Sequence, residues 1–206
     1  LLVEPIQGEG GINIASKEFM GALSDLREDK EILIIFDEVQ CGIGRTGKWF
    51  GFQHYDVQPD IITLAKALGG GVPIGAIVAK NEISDVLKQG DHGSTFGGNP
   101  LVTSVGLTVM NTIESDKLIQ NSEKMGKYLL KNLEFMLDMP HVNDVRGMGL
   151  MVGIEFDESC SEYVKRCFEN NLLVSCTRDK VVRLVPPLIV SKNEINEAVE
   201  IMKKSF

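Results

Sequence analysis

The chain has 206 residues, 43% of them hydrophobic and 24% charged, with a formal net charge of −8. This is ordinary globular composition with room for a real core, and its acidity argues against a nucleic-acid-binding surface. No apolar run reaches the length of a membrane-crossing helix, and no signal-peptide pattern is present.

The chain opens on Leu1-Leu2-Val3-Glu4-Pro5, without a methionine and already strand-like, so it reads as a piece of something longer. Gly8-Glu9-Gly10-Gly11 predicts a flexible loop able to carry Glu9 near a ligand. Ser16 predicts a helix cap, and Phe19, Met20, Leu23 and Leu26 fall on one helical face. Ile32 to Phe36 is a continuous apolar run, the pattern of a buried parallel strand, closed by Asp37. Strand, helix, strand in this order predicts a right-handed βαβ unit.

Ile61 to Leu64 predicts another buried strand, with Lys66 just past its end and Gly69, Gly70 and Gly71 following. In open α/β sheets ligands bind outside the carboxyl ends of strands, where Asp37 and Lys66 both stand. Lysine is the side chain whose amine, once deprotonated, condenses with carbonyl compounds. Ile74 to Ala79 then returns as an antiparallel strand, because the connection is short. Asn81 predicts the cap of a short helix, and residues 92–98 a polar, glycine-rich loop.

Asn99-Pro100 predicts a helix start running to about Glu114. A second helix, from about Lys117 to Leu137, is expected to bury Leu118, Met125, Leu129, Leu133 and Met136. Beyond His141, strands are expected at Leu150–Phe156, Leu172–Cys176 and Val181–Val185 around a helix at Glu162–Asn170. A last helix starts at Ser191, with Glu194 completing a capping box. The expected organisation is therefore a larger α/β domain over residues 1–115 and a small α+β domain over residues 116–206. Cys41, Cys160, Cys167 and Cys176 form no Cys-x-x-Cys pair; they are expected to be reduced thiols of a cytoplasmic protein, with no metal site.

Three readings compete around Asp37. Ile32 to Glu38 has the form of a Walker B strand, which would make the protein a P-loop ATPase, but no Gly-x4-Gly-Lys-Ser/Thr loop accompanies it. Gly42-Ile43-Gly44-Arg45-Thr46-Gly47 fits Gly-x-Gly-x-x-Gly, yet residues 37–41 separate it from the strand and Lys48-Trp49-Phe50-Gly51 is a poor helix start. The third makes Asp37 the partner of a pyridine nitrogen.

The third explains most residues together, because seven ordered blocks resemble one family. They are Glu4-Pro5-Ile6-Gln7-Gly8-Glu9-Gly10-Gly11, Phe36-Asp37-Glu38-Val39-Gln40, Gly44-Arg45-Thr46-Gly47, Leu64-Ala65-Lys66-Ala67-Leu68-Gly69-Gly70-Gly71, His92-Gly93-Ser94-Thr95-Phe96-Gly97-Gly98-Asn99-Pro100, Val145-Arg146-Gly147-Met148-Gly149-Leu150 and Val182-Arg183-Leu184-Val185-Pro186-Pro187-Leu188. The chain is similar over its whole length to the class III (ω-amino) aminotransferases. Gly-Glu-Gly-Gly and Arg-Leu-Val-Pro-Pro-Leu are nearest to members acting on N-acetylornithine.

The resemblance implies the type I fold of pyridoxal-phosphate-dependent transferases, here as part of the large domain with a mostly parallel sheet and then the small C-terminal domain. It implies pyridoxal 5'-phosphate as cofactor and transfer of the δ-amino group of N-acetylornithine to 2-oxoglutarate, a step of arginine biosynthesis. Other ω-amine donors (ornithine, succinylornithine or 4-aminobutyrate) remain open, as does an inert fragment. By the same resemblance Lys66 carries the cofactor and moves the reaction's proton, Asp37 pairs with the ring nitrogen, and Gln40 bonds the phenolic oxygen. Thr95 holds a phosphate belonging to the partner subunit of a homodimer. Arg183 grips a substrate carboxylate, Glu9 masks Arg183 while the ω-amine donor is bound, and Ser94 is grouped with them on the substrate side. Relatives carry a preceding half with the phosphate-binding helix start, a ring-stacking aromatic and a further arginine, and that half is an expected partner. Cys41 stands where many relatives have threonine and is expected to be a buried neutral thiol.

Overall fold

A computed structural model describes residues 1–206. Two four-stranded sheets, each with its own apolar core, organise the chain. The first sheet has the order β1 (Leu2–Val3), β4 (Ile35–Asp37), β5 (Ile61–Leu64) and β6 (Ala76–Ala79). The first three strands are parallel and β6 is antiparallel to β5, as the short glycine connection requires. Between β1 and β4 come a small hairpin, β2 (Ile6–Gln7) with β3 (Asn13–Ile14), and helix α1 (Lys17–Lys30).

Helix α1 starts where Ser16 accepts a hydrogen bond from the Phe19 amide (3.1 Å). It ends at Glu31, whose φ of 51° breaks the helix. Met20 and Leu23 are buried on the sheet, whereas Phe19 and Leu26 stay exposed, so the apolar face is narrower than expected. Strand β4 begins three residues later than the apolar run and includes Asp37.

After β6, Asn81 opens the single-turn helix α2 (Asn81–Ser84), but Lys80 occupies the cap position that Asn81 was expected to fill. Helix α3 (Pro100–Ser115) is capped by Asn99, which accepts from Leu101 N and Val102 N. Helix α4 (Leu118–Leu133) is shorter than expected, because a 3₁₀ turn takes over from Glu134 to Asp138; Met136 is still buried there.

The second sheet is antiparallel throughout, in the order β7 (Val142–Met148), β8 (Met151–Phe156), β10 (Val181–Leu184) and β9 (Ser175–Thr177). Helix α5 (Ser161–Glu169) precedes β9, and α6 (Lys192–Ser205) closes the chain with the expected Ser191–Glu194 capping box. Strand β7 was not expected: its Asn143-Asp144 and Arg146-Gly147 interrupt any apolar alternation. The two faces of this sheet differ. Val152, Ile154, Phe156, Val182 and Leu184 pack against Met125, Leu129, Ile195, Val199 and Met202 of α4 and α6. On the other face, Met151 joins Ile6, Ile12 and Cys41 in a small core beneath the β2–β3 hairpin.

Loop 42–50 locks the two halves together. Arg45 donates to the carbonyls of Leu150 (3.1 Å) and Pro186 (2.5 Å), and its own carbonyl accepts from Leu150 N and Ser122 Oγ. The approach demands glycine: a Cβ at Gly149 would lie 2.4 Å from Thr46 backbone, and one at Gly126 would lie 2.1 Å from the Gly149 oxygen.

The cysteines depart from expectation. Cys160 and Cys176 form a disulfide that ties the start of α5 to β9, while Cys41 and Cys167 are free and buried. Their 16-residue separation carries no pairing signal; folding of β9 beside the start of α5 brings their Cα atoms to 6.1 Å. No helix is long and apolar enough to cross a membrane.

Candidate active site

Parallel pairing of β4 with β5 sets Asp37 opposite Thr63, so the chain leaves both strands along one edge of the sheet. Asp37 is half-buried, and its Oδ1 accepts from Val39 N at 2.9 Å, while Oδ2 has no protein donor. Past β5 the backbone turns sharply. Lys66 has φ 43°, in the left-handed region, and begins a 3₁₀ turn that ends at Gly69, with Gly70 (φ 55°) and Gly71 (φ 119°) following in the left-handed region. Such a conformation costs a non-glycine residue roughly 1–2 kcal/mol and concentrates at functional sites. Lys66 is exposed, and no carboxylate or carbonyl engages its Nζ.

Beneath these residues lies a buried acid that the sequence did not single out. Glu38 is 1% exposed and accepts from Gly51 N (2.7 Å), Phe52 N (2.8 Å) and Cys41 Sγ (3.3 Å). Burial pushes its carboxyl above the usual range despite those donors. Burial and the neighbouring Glu38 likewise push the Cys41 thiol up, so it is the neutral thiol expected. Glu38 thereby pins the turn that presents Gln40.

Gln40 reaches across to the second sheet. Its Oε1 accepts from Arg183 Nη1 at 3.2 Å. A Cβ on Gly8 would lie 2.3 Å from the end of the Gln40 side chain, so a larger residue there would displace Gln40 from this contact. Arg183 also donates from Nε to Ser175 Oγ (3.3 Å) and from Nη1 to Glu9 Oε1 (2.5 Å). Bonding to Arg183 holds the Glu9 carboxyl below its ordinary range, with Gln40 and the charge of Lys66 adding to the effect. Glu9 is 70% exposed, however, and exposed pairs of this kind are worth about 0–1 kcal/mol.

Glu9, Gln40 and Arg183 are therefore in direct contact, and the charge of Lys66 reaches Glu9. Ser94 and Thr95 are not tied to them. Both stay in the exposed loop 91–99, where Ser94 Oγ accepts from Gly97 N and Thr95 makes no hydrogen bond. Sequence reading also gave no role to Arg146 or Thr177, which grip the loop carrying Glu9. The one available signal was the Val145-Arg146-Gly147 block itself.

The family model for class-III aminotransferases matches residues 1–206. An acetylornithine aminotransferase of Methanocaldococcus jannaschii is 49% identical over all of this chain and 52% of its own length. Ornithine aminotransferase 1 of Staphylococcus aureus is 42% identical with the same coverage. Among solved structures, the ornithine aminotransferase of Toxoplasma gondii, described with partial occupancy of PLP at its active site, superposes with a TM-score of 0.94 at 37% identity. That match covers 100% of this chain and 50% of the other. The fold is accordingly that of the pyridoxal-phosphate-dependent aminotransferases, and the Ile32–Glu38 run contains a strand of their sheet, Ile35–Asp37, and is not a Walker B segment. The chain spans about half the length of the curated relatives it matches, and it belongs to the class-III aminotransferases.

Proposed function

We propose that this chain supplies the catalytic lysine, the ring-nitrogen carboxylate and the acceptor-binding arginine of an aminotransferase that moves the δ-amino group of N-acetylornithine to 2-oxoglutarate. Class-III aminotransferases are pyridoxal-phosphate-dependent. The residues present suit that cofactor: an unengaged amine at Lys66 for its aldehyde, and a carboxylate with one free oxygen at Asp37 for its ring N–H. When bound, the cofactor supplies an electron sink for the bonds at the substrate's amino-bearing carbon.

The chain's own residues do the rest. With the cofactor bound, Asp37 would keep a proton on the ring nitrogen, Gln40 would donate to the phenolic oxygen, and Lys66 Nζ would hold and return the proton taken from the substrate carbon. Thr95, free in its exposed loop, contacts phosphate in a partner subunit of a homodimer, with Ser94 beside it on the substrate side. Arg183 binds the carboxylate of 2-oxoglutarate once Glu9 swings away, and Glu9 covers it while the ω-amine donor is bound. The observation that carries the reading is the Glu9–Arg183 contact, a weak exposed pair that the charge of an unengaged lysine also reaches. Leu2 on β1 and Ile77 and Val78 on β6 expose apolar surface at the sheet's edges, which favours a chain that works with the remaining half of such an enzyme.

Ornithine is the second candidate donor, since ornithine aminotransferases are among the relatives. The test is glutamate formation from 2-oxoglutarate with N-acetylornithine, ornithine, succinylornithine or 4-aminobutyrate, by the protein that carries this chain. N-acetylornithine is expected to give the highest kcat/KM. A higher value with ornithine would overturn the donor, and no glutamate from any of them would overturn the reading.

A further inference from the structure

The turn that delivers Glu9 is fastened by a residue outside the chemistry. Register aligns Arg146 of β7 with Gly153 of β8, Gly153 with Arg183 of β10, and Arg183 with Ser175 of β9. Side chains in one cross-strand row leave the sheet on the same face. Two arginines therefore flank a glycine, and Ile12 fills the gap between them: a Cβ at Gly153 would lie 3.0 Å from Ile12 Cβ. Ile12 is fully buried at φ 57°, an unfavourable conformation for a β-branched residue that persists only if its surroundings impose it.

Arg146 imposes it. Its Nε donates to the Ile12 carbonyl (3.0 Å), and its Nη2 donates to the Gly11 carbonyl (2.6 Å) and to Asn13 Oδ1 (3.2 Å). Its Nη1 is anchored by Asp144 Oδ2 (2.9 Å) and Glu155 Oε2 (2.5 Å) on the same sheet. Thr177 Oγ1 holds the Glu9 carbonyl from the other side (2.5 Å). The turn's backbone is thus fixed at both ends, while the Glu9 side chain remains largely in solvent and pairs only weakly with Arg183. A weak exposed pair forms to the extent that its backbone is already in place.

We propose that Arg146 is a positioning residue for Glu9: by gripping the Gly11 and Ile12 carbonyls it seats the turn on Gly153 and sets how often Glu9 covers Arg183. It touches no substrate. Its effect falls on the preference between ω-amine donors, which need Arg183 covered, and dicarboxylates, which need it free. This consequence for preference rests on the masking role given to Glu9 above.

The first test needs no catalysis. The Glu9 carboxyl is titrated by carbon NMR in the protein carrying Arg146→Met or Arg146→Lys, with Asp60, which belongs to the other sheet, as internal control. In Arg146→Met the Glu9 midpoint is expected to rise toward the ordinary 4.5 while Asp60 does not move. Arg146→Lys, whose ammonium can reach one carbonyl only, is expected to move it less. A Glu9 midpoint that stays in place, or one that moves together with Asp60 in both variants, overturns the proposal.

The second test reads the half-reactions. The kcat/KM for 2-oxoglutarate over that for the ω-amine donor is expected to rise about two- to fivefold in Arg146→Met, the size an exposed pair allows. It should rise no further when Arg146→Met is added to Glu9→Ala. A ratio that does not move in Arg146→Met when Glu9→Ala moves it, or a further rise in the double variant, overturns the proposal. If Glu9→Ala alone leaves the ratio unchanged while the Glu9 titration still responds to Arg146→Met, the masking role fails and the positioning of Glu9 by Arg146 stands.

Discussion

Arg183 Nη1 lies 2.5 Å from Glu9 Oε1, a contact made across 174 positions of sequence. Arg183 is mostly buried in side chain and Glu9 is mostly exposed, so the arginine stays fixed while the carboxylate can move. A planar guanidinium can hold an incoming carboxylate through two parallel bonds; an ammonium cannot.

Arg183→Lys is therefore expected to weaken the use of 2-oxoglutarate. A charge-assisted hydrogen bond is worth about 1.5–3 kcal/mol, so kcat/KM should fall roughly ten- to hundredfold. The donor half-reaction should change less. Single-turnover kinetics with each substrate separate the two, and an unchanged 2-oxoglutarate half-reaction would remove Arg183 from the proposed role.

Lys66→Ala in the protein carrying this chain is expected to abolish transamination and covalent trapping of the cofactor by borohydride. The lysine's left-handed backbone and unengaged amine motivate the prediction. Peptide mapping after reduction of the unaltered protein should find the cofactor on Lys66. Cofactor fixed on another lysine, or retained turnover in the variant, would exclude the assignment.

Asp60 stands at the far end of β5 and sets fold stability rather than chemistry. It is 4% exposed and accepts from Arg27 (2.6 Å), Lys80 (2.8 Å) and Ile34 N (2.8 Å), joining α1, the entry to β4 and the end of β6. Burial alone would raise its carboxyl, but the Lys80 bond, the Ile34 amide and the Arg27 charge outweigh that and hold it below the ordinary 3.8. A folded-state value below the unfolded one stabilises above the unfolded value, and that contribution is lost as pH falls through the folded value. Asp60→Asn should cost about 1–3 kcal/mol at neutral pH, with the gap from wild type closing below about pH 3.8. Denaturant unfolding at several pH values checks both; a gap independent of pH would show that the charge is not what matters.

The Cys160–Cys176 disulfide closes a loop across 16 positions. By chain entropy such a loop is worth up to about 3 kcal/mol. Reductant is expected to lower the unfolding midpoint of the protein, and Cys176→Ala to lower it similarly and to abolish any further response. A midpoint indifferent to reductant would show that the bond adds nothing to stability.

The placement of Asp37 and Lys66 was legible because both sit in local frames that sequence controls. Apolar runs ending at Asp37 and before Lys66 specify buried parallel strands, and such strands deliver their last side chains to one edge. Ser16, Asn99 and Ser191 announced their helices because a cap is a contact within a few residues. Strand β7 was not legible: Asn143, Asp144, Arg146 and Gly147 are poor strand formers, held there by pairing with β8 and by the hairpin lying across them. The clamp on Glu9, the three donors on Glu38 and the partner of Cys160 were equally hidden, because each joins residues that only the tertiary fold brings together. Local sequence was enough to place Asp37 and Lys66 at the ends of buried strands. The tertiary structure alone decided that Glu9, Gln40 and Arg183 meet, because that contact depends on one sheet's loop packing against the opposite face of another.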